Sequence, residues 1–338
     1  ADKIWEFAEL SLQEFKSAAA YCEALEKEGF EVERGTCNIE TAFAASYGHG
    51  RPYIGILAEY DALSGLSQEA GLIERKAIQE GGNGHGCGHN LLGAGAFAAA
   101  LGVKAYLEKN EMEGTVILYG CPGEEGGAAK AFMARDALWK KLDAALTWHP
   151  EDVNEVATGS SNSCIQTQYK FIDGLADTVS NFALERVLYK NFEELGVPQY
   201  TEEENKYADA LAETYDHSAI PGVAAENDEA AREAVEKMQR EYGHAMNAFL
   251  TPLYQKDAFN AGSTDVGDVS WLTPTAQIHV AAWPNGCPGH SWQNVSCDCT
   301  EIGHKAVIHA GKVIAATAID LFEDHSLLDE ARAEFEKR

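Results

Sequence analysis

Basic residues are scarce in this sequence. It contains 26 lysines and arginines against 54 aspartates and glutamates, so its formal net charge is -28 over 338 residues. A surface this negative repels phosphate backbones and anionic lipid headgroups. We therefore expect neither nucleic acid nor a membrane among the binding partners.

Long apolar runs, a leader pattern and repeats are also missing. No stretch approaches the roughly 18 uninterrupted apolar residues that span a bilayer. The first ten residues, ADKIWEFAEL, lack the basic-then-apolar layout of a secretory signal. No internal repeat or low-complexity segment is present. We predict a soluble protein of the cytoplasm.

Paired cysteines at metal-ribbon spacing are missing as well. The eight cysteines are scattered through a chain long enough to build a core without disulfides, which favours a reducing compartment. Cys297 and Cys299 lie close together, but no second pair accompanies them, so we predict no structural zinc there. Most of the cysteines are expected to be small buried residues, and Cys87 is the exception.

Short apolar runs alternate with helical patterns along the chain. This alternation predicts an α/β fold in which residues 1–338 form one domain, with a central mixed sheet covered by helices on both faces. The predicted strands are 53–58, 115–119, 144–148 and 276–282, and a further strand-rich stretch is predicted at 155–171. The predicted helices are 1–30, 91–108, 127–140, 181–196, 201–215, 225–248 and 301–322.

Polar residues cluster where the predicted strands end. Ligand sites of open α/β sheets lie at the carboxyl ends of the strands, so this clustering indicates a functional site. The clusters are Glu59-Tyr60-Asp61, GNGHGCGHN at 82–90, Glu124-Glu125, His149, and PGHSWQ at 288–293.

The second cluster carries Cys87 and His89 on a glycine-rich loop. Flexible backbone there lets a thiolate and an imidazole turn toward one metal ion. A plain turn with a buried cysteine is the alternative for this motif taken alone. His85 lies in the same loop, either as a ligand or as a solvated loop histidine.

Glu124 and Glu125 are adjacent anions at the end of a strand, and they need a cation or a shifted pKa to coexist there. One carboxylate can bind a metal while its neighbour takes a proton from water. The alternative is a helix N-terminus, where the macrodipole favours acidic residues without any catalytic role.

His149 and His290 are weak indications singly, because a histidine after a strand is more often structural. Found together with the other clusters, the two histidines become stronger evidence for a metal site. Sulfur, imidazole and carboxylate suit zinc, cobalt or manganese, and five ligands exceed what one tetrahedral zinc takes. We therefore predict two divalent metal ions that share a bridging ligand.

Six ordered motifs covering nearly the whole chain resemble the zinc aminoacylase and carboxypeptidase family of metallopeptidases. They are AEYDAL, GHGCGHNLLG, GCPGEEGG, TWHP, GSTDVGDVSW and PGHSWQ. The resemblance implies that Glu124 is the general base and that Asp61 orients a ligand. It places Asp265 and Asp268 of GSTDVGD in a motif near the site, to which no step is assigned. It implies that the metal ligands are Cys87, His89, Glu125, His149 and His290.

The chain also departs from that family. Members usually carry an inserted lid domain that mediates dimerisation and supplies a histidine and contacts to the substrate carboxylate. Here the strand 164–171 is followed almost at once by a helix, so the lid expected near 171–180 is missing. Without the lid, the histidine that stabilises the oxyanion has no candidate, and turnover is expected to be weak.

The resemblance implies hydrolysis of an amide bond in an N-acyl or N-aroyl amino acid, such as p-aminobenzoyl-glutamate, by metal-activated water. The alternatives are a dipeptidase, another N-acyl amino acid hydrolase, or a catalytically weak metal-binding subunit of a two-chain enzyme. A thiol hydrolase with Cys87 as nucleophile is a further alternative. The expected partners are a small-molecule amide and either a second, unlike subunit or further copies of the chain.

Overall fold

A seven-stranded mixed sheet forms the centre of the molecule in the computed structural model, which describes residues 1–157, 175–216, 222–256, 258 and 262–337. The strand order is β1-β2-β4-β3-β5-β7-β6, in which β4, β3, β5 and β7 are parallel and the outer pairings are antiparallel. The strands are β1 (Glu31–Arg34), β2 (Phe43–His49), β3 (Tyr53–Ala58), β4 (Gly114–Gly120), β5 (Ala144–Glu151), β6 (Glu155–Val156) and β7 (Thr275–Ala281). The four parallel strands are the four that the sequence predicts most clearly.

Helices cover both faces of this sheet, as predicted. Two 3-10 turns, Thr36–Asn38 and Leu138–Lys141, add to them. The helices are α1 (Asp2–Phe7), α2 (Phe15–Lys27), α3 (His89–Asn110), α4 (Ala129–Arg135), α5 (Phe182–Leu195), α6 (Glu202–Ala212), α7 (Val223–Asn227), α8 (Glu229–Tyr242), α9 (Val266–Ser270), α10 (Trp292–Asp298), α11 (Glu301–Glu323) and α12 (His325–Phe335).

Successive side chains along the strands point to opposite faces of the sheet, and this divides the apolar core into two layers. Ile54 and Ile56 of β3 face the larger layer, which is covered by α2, α3, α5 and α11. Leu57 of β3 and Ile117 of β4 face the smaller layer, where Trp139 packs beside α4. Both faces of the parallel strands are therefore buried, which explains their nearly continuous apolar sequences.

Three predicted helix boundaries are wrong. The first thirty residues form two helices, α1 and α2, because the chain turns through left-handed backbone at Ala8 and Leu12 between them. The helix expected at 127–140 ends at Arg135 and continues only as a 3-10 turn. The helix expected at 225–248 is split at Asp228, whose side chain caps α8 by accepting from two backbone N–H groups, and it ends early, at Tyr242, before Gly243 adopts a left-handed φ of 77°.

Other expectations fall in or beside the segments that the structure leaves undescribed. Of the predicted strand-rich stretch at 155–171, Glu155–Val156 forms β6, whereas the strand at 164–171 lies outside the described residues. The single-domain organisation and the missing lid near 171–180 therefore stay predictions.

Helix α3 is long and apolar, although Lys104 interrupts its apolar run. By length and composition it could cross a membrane, although no such segment was expected from the sequence. The most apolar 18-residue segment of this helix is 56% buried inside the molecule, and the helix packs against α11 and the parallel strands. Burial of this kind is typical of the core helix of a globular domain.

The parallel strands bring their carboxyl ends to one edge of the sheet. The residues that follow β3 and β4, together with the last residues of β5 and β7, meet there, and the N-terminus of α3 lies beside them. The polar clusters that are far apart in the chain consequently become neighbours.

Candidate metal centre

The five predicted donor residues lie together at this edge. Cys87, His89 and His149 form one group, and Cys87, Glu125 and His290 form a second. Within each group the donor atoms lie within 4.8 Å of one another. Cys87 belongs to both groups, as a bridging ligand would.

The glycine-rich loop makes this grouping possible. Gly88 has a φ of 72°, and a Cβ placed there would lie 2.6 Å from the ring of Pro150. Only glycine fits this position, and the turn directs the side chains on either side of it, Cys87 and His89, into the site. His290 reaches the loop by donating its backbone N–H to the Gly86 carbonyl, and it adopts a left-handed φ of 55° that is uncommon for a non-glycine residue.

The separations between donor atoms suit a shared ion. Cys87 Sγ lies 3.5 Å from His149 Nε2, and Glu125 Oε2 lies 3.6 Å from His290 Nε2. Donors bound to one zinc at about 2.3 Å for sulfur and 2.1 Å for nitrogen or oxygen are about 3.4–3.6 Å apart at the tetrahedral angle. The Cys87–His149 pair matches the sulfur–nitrogen value, and the Glu125–His290 pair exceeds the nitrogen–oxygen value of about 3.4 Å by about 0.2 Å, so both are close to the geometry of a shared ion.

Asp61 occupies the position from which it can orient His89. Its Oδ1 lies 2.9 Å from His89 Nδ1, while its Oδ2 accepts hydrogen bonds from Ser11 Oγ at 2.8 Å and from the Glu125 N–H at 3.0 Å. Burial opposes ionisation of Asp61, but His89 and these hydrogen bonds outweigh it and lower the pKa to about 2. A carboxylate behind the imidazole leaves Nε2 facing the site, as in many metal centres.

His149 is held in the form that binds metals. Its Nδ1 lies 2.7 Å from the Pro150 carbonyl oxygen, to which it donates a hydrogen bond, so the Nε2 lone pair faces Cys87. Burial, followed by the neighbouring His89, lowers the pKa of His149 to about 3. The ring is therefore neutral near pH 7, which coordination requires.

Two buried polar atoms at the site lack a hydrogen bond within the described part of the chain. They are His89 Nε2 and Glu125 Oε1, both of which belong to predicted ligands. Buried polar atoms without partners are costly, and buried negative charge needs compensation. Such atoms, in a set of thiol, imidazole and carboxylate donors, fit a transition-metal centre.

Glu124 lies beside the centre rather than within the two donor groups of the predicted ligands. Its Oε2 is 3.9 Å from His89 Nε2, and its side chain borders a cleft of about 280 Å³. Burial, followed by the charge of Glu59, raises the pKa of Glu124. A carboxyl group with a raised pKa at the rim of a metal site suits proton transfer.

Three charged residues lie under the centre, and none of them was given a role from the sequence. Glu59 was noticed only as part of a strand-end cluster, and Asp265 was left without a step. Lys130 was not noticed at all, although its side chain is fully buried between these two carboxylates. A lysine in a short helical segment is ordinarily expected to be solvent-exposed, so nothing in the sequence pointed to Lys130. Glu59 and Asp265 were indicated only by the motifs that contain them, AEYDAL and GSTDVGD.

A histidine on β7 was missed too. His279 pairs with His149 in the strand register and borders the same cleft. Its Nδ1 lies 3.0 Å from Glu155 Oε1. Period-two alternation could have placed His279 on the face of His149, but only after the pairing of β5 with β7 was known.

Two remaining candidates lie away from the ligand groups. His85 is neither a solvated loop residue nor a member of those groups. It is buried, with Nε2 3.0 Å from the Ile4 carbonyl oxygen. Asp268 accepts a hydrogen bond from the Ala176 N–H at 3.4 Å, so it holds the segment before α5.

A separate group of possible donors lies at the surface. It consists of Asp2, Cys299 and His304, and Asp2 already pairs with His304 at 2.7 Å. We assign it no function, but it bears on any measurement of metal content.

Comparisons with known proteins agree with this chemistry. Residues 55–282 match the family model described as peptidase family M20/M25/M40. The chain is 32% identical over 441 aligned positions to one of the subunits of the p-aminobenzoyl-glutamate hydrolase of Escherichia coli, covering 100% of this chain and 91% of that protein. It is 31% identical over 150 residues to the hippurate hydrolase of Campylobacter jejuni, covering 44% of this chain and 37% of that protein.

Solved structures of low sequence identity resemble the chain as well. A dinuclear metal-binding M20 peptidase of Bacillus subtilis has a TM-score of 0.49 and 17% identity, covering 93% of this chain and 94% of its own. An aminobenzoyl-glutamate utilization protein of Klebsiella pneumoniae has a TM-score of 0.41 and 13% identity, covering 94% of each chain.

Proposed function

Because the chain belongs to peptidase family M20/M25/M40 and is a hydrolase of amide bonds, we propose that it cleaves an N-acyl or N-aroyl amino acid with the help of two divalent metal ions. The observation that carries this proposal is the pair of donor groups that share Cys87. The soft and borderline donors favour zinc, manganese or cobalt. When bound, such ions polarise a carbonyl and lower the pKa of water from about 15.7 toward 7.

The residues of the chain divide the remaining work. Cys87, His89, Glu125, His149 and His290 would hold the ions, and Asp61 would keep the ring of His89 in place. Glu124 would take the proton from the attacking water and pass it to the leaving amine, since it borders the cleft and its Oε2 lies 3.9 Å from His89 Nε2.

The substrate we propose is p-aminobenzoyl-glutamate. Support comes from the Escherichia coli relative, whose name states that substrate and whose sequence aligns along the whole chain. The hippurate hydrolase relative supports the broader class of N-acyl amino acids, but its alignment covers less than half of this chain. Another N-acyl amino acid or a dipeptide is accordingly the alternative.

We also propose that the lid near 171–180 is absent and that a second, unlike subunit completes the enzyme. The alignment with the Escherichia coli protein has 441 positions against the 338 residues of this chain, so 441 minus 338 leaves 103 positions without a counterpart here. That relative is named as a subunit, which favours an unlike partner over further copies of this chain.

A reducing, cytoplasmic setting fits the cysteines. The seven cysteines among the described residues are all free. A thiol hydrolase with Cys87 as nucleophile is the weaker alternative, because burial raises the pKa of this thiol, whereas nucleophilic cysteines have a lowered pKa.

The test is elemental analysis of purified Cys299→Ser protein, in which the surface group of donors loses its thiol and keeps only Asp2 and His304, combined with hydrolysis of p-aminobenzoyl-glutamate before and after chelation. We expect two transition-metal ions per chain and loss of turnover on chelation, with recovery when zinc, manganese or cobalt is restored.

Other outcomes separate the alternatives. Bound ions without turnover would support the weak metal-binding subunit, and co-expression with the unlike subunit should then restore hydrolysis. Turnover that survives chelation would support the thiol mechanism. Absence of bound metal would overturn the proposal.

A further inference from the structure

A buried trio of charges lies directly beneath the metal centre. The Lys130 side chain is fully buried, and its Nζ lies 2.6 Å from Glu59 Oε1 and also pairs with Asp265. Asp265 is held a second time, because its Oδ2 accepts the Lys130 backbone N–H at 3.0 Å. One ammonium balances two carboxylates, so the trio keeps one negative charge away from water.

The second oxygen of Glu59 faces the centre. Glu59 Oε2 lies 3.2 Å from His89 Nε2, and Glu59, His89 and Glu124 form a third group of donors within 4.8 Å of one another. Two donors at about 2.1 Å from one ion are about 3.0 Å apart at a right angle and about 3.4 Å apart at the tetrahedral angle. The Glu59 separation falls between these two values.

Glu124 differs from Glu59 in this respect. Its oxygen lies 3.9 Å from the same His89 nitrogen, which exceeds the tetrahedral separation. Glu59 is also the more buried of the two, with 3% of its side chain exposed against 11% for Glu124. The two carboxylates therefore suit different tasks: Glu59 suits metal binding, and Glu124 suits proton transfer.

We propose that Glu59 is a further protein donor of the metal centre, and that Lys130, balanced by Asp265, is the positioning residue that aims it at the ion bound by His89. This inference rests on the metal centre proposed above. Lys130 engages Oε1 and thereby fixes the rotation of the carboxylate, so that Oε2 remains for the ion.

Asp265 supplies a matched control, because it is the other carboxylate on Lys130. Glu59→Gln and Asp265→Asn each remove one charge from the same ammonium, but only Glu59 has an oxygen near His89. The probe is Co²⁺, titrated against a chromophoric chelator in a Cys299→Ser background. We expect Glu59→Gln to raise the Co²⁺ Kd by more than the roughly 10- to 100-fold typical of residues that only support a ligand, and Asp265→Asn by less than about threefold.

The visible spectrum of bound Co²⁺ gives a second readout, which does not depend on activity. Loss of a donor should change the absorption bands in Glu59→Gln and leave them unchanged in Asp265→Asn. Thermal melting without metal shows whether the two variants are equally folded. If Glu59→Gln does not fold, Glu59→Asp retains the charge but withdraws the oxygen, and it should show the same rise in Kd.

Equal Kd values and equal spectra for the two variants would overturn the inference and leave Glu59 as a charge partner of Lys130. The proposed function would survive that result, provided that the parent protein binds Co²⁺ and hydrolyses its substrate. A parent protein that binds no Co²⁺ would overturn the metal centre, and the inference with it.

Discussion

The core under α3 and α11 and the inner part of the carboxyl edge of the sheet, around Asp61, His89 and Lys130, are equally shielded from water, but they are built from opposite kinds of residue. Leu146 and Trp148 of β5 are at most 1% exposed among apolar neighbours. Asp61, His89 and Lys130 are just as buried, yet each is surrounded by charged or polar groups.

The difference lies in what each region needs from its partners. Apolar side chains gain free energy from burial itself, roughly in proportion to the area removed from water. Buried charges gain nothing unless a partner of opposite sign lies at the right distance. The helical layer therefore stabilises the fold, whereas the edge of the sheet depends on a fixed arrangement that also serves chemistry.

The largest expected effect separates chemistry from metal binding at the edge. Glu124→Ala should lower the rate of hydrolysis by about 10²- to 10⁴-fold, because a general base is removed. Bound metal and melting temperature should stay close to those of the parent protein. Steady-state kinetics and elemental analysis on the same preparation check this prediction. An unimpaired rate would contradict the assignment of the base, and a loss of metal would identify Glu124 as a ligand.

A pair of substitutions on β5 sharpens the comparison between the two regions. Leu146→Ala should lower the free energy of unfolding by about 2–5 kcal/mol, because it leaves a cavity in the core, with little change in metal affinity. His149→Ala, three residues further along, should weaken metal binding by more than the roughly 10- to 100-fold typical of residues that only support a ligand.

Denaturant unfolding and metal titration on both variants test this separation. If Leu146→Ala weakened metal binding as much as His149→Ala does, the two regions would not be independent. His149→Ala with unchanged metal affinity would remove His149 from the ligand set.

The smallest expected effect comes from a titratable group inside the helical layer. His309 of α11 packs against Phe192, and burial lowers its pKa from 6.5 to about 4. Between pH 4 and pH 6.5 the His309 ring is protonated in the unfolded chain and neutral in the folded chain. Stability contributed by the neutral ring is complete above pH 6.5 and is lost as the pH falls toward 4.

His309→Gln should therefore reduce the stability loss between pH 7 and pH 5 by about 1–2 kcal/mol. Ile308→Gln on the exposed side of α11 is the matched control, because it introduces glutamine on the same helix without removing a titratable group, and it should leave the pH dependence unchanged. Denaturant melts at the two pH values provide the measurement. An identical pH dependence in His309→Gln and the parent protein would show that the ring is not held neutral.

Much of the fold was predictable because its signals are local. The four parallel strands are short apolar runs, and the predicted bounds of α3, α5, α6 and α11 agree with the structure to within about three residues at each end. The errors in the predicted helix bounds near Ala8, Leu12 and Ala137 have one cause in common. Each of these residues adopts a left-handed backbone conformation, which is uncommon for a non-glycine residue and is not indicated by the sequence.

The site was predictable to the extent that its residues stand in recognisable motifs. Cys87, His89 and the pair Glu124 and Glu125 could be proposed because such residues at strand ends are costly unless they bind something, whereas the choice of Glu125 as the ligand rested on the family resemblance alone. Lys130 and His279 could not, because their partners Glu59 and Glu155 are 71 and 124 positions away along the chain. No local sequence pattern indicates a pairing between residues so far apart in the chain.

The sequence by itself determined the α/β class, the parallel strands and the residues able to bind metal, because hydrophobic periodicity and side-chain chemistry are properties of short segments. Only the tertiary structure decided which donors share Cys87, which carboxylate faces His89 and which one lies at the rim of the cleft. Those outcomes depend on strand order and on distances of a few tenths of an ångström, which arise when separate segments pack together.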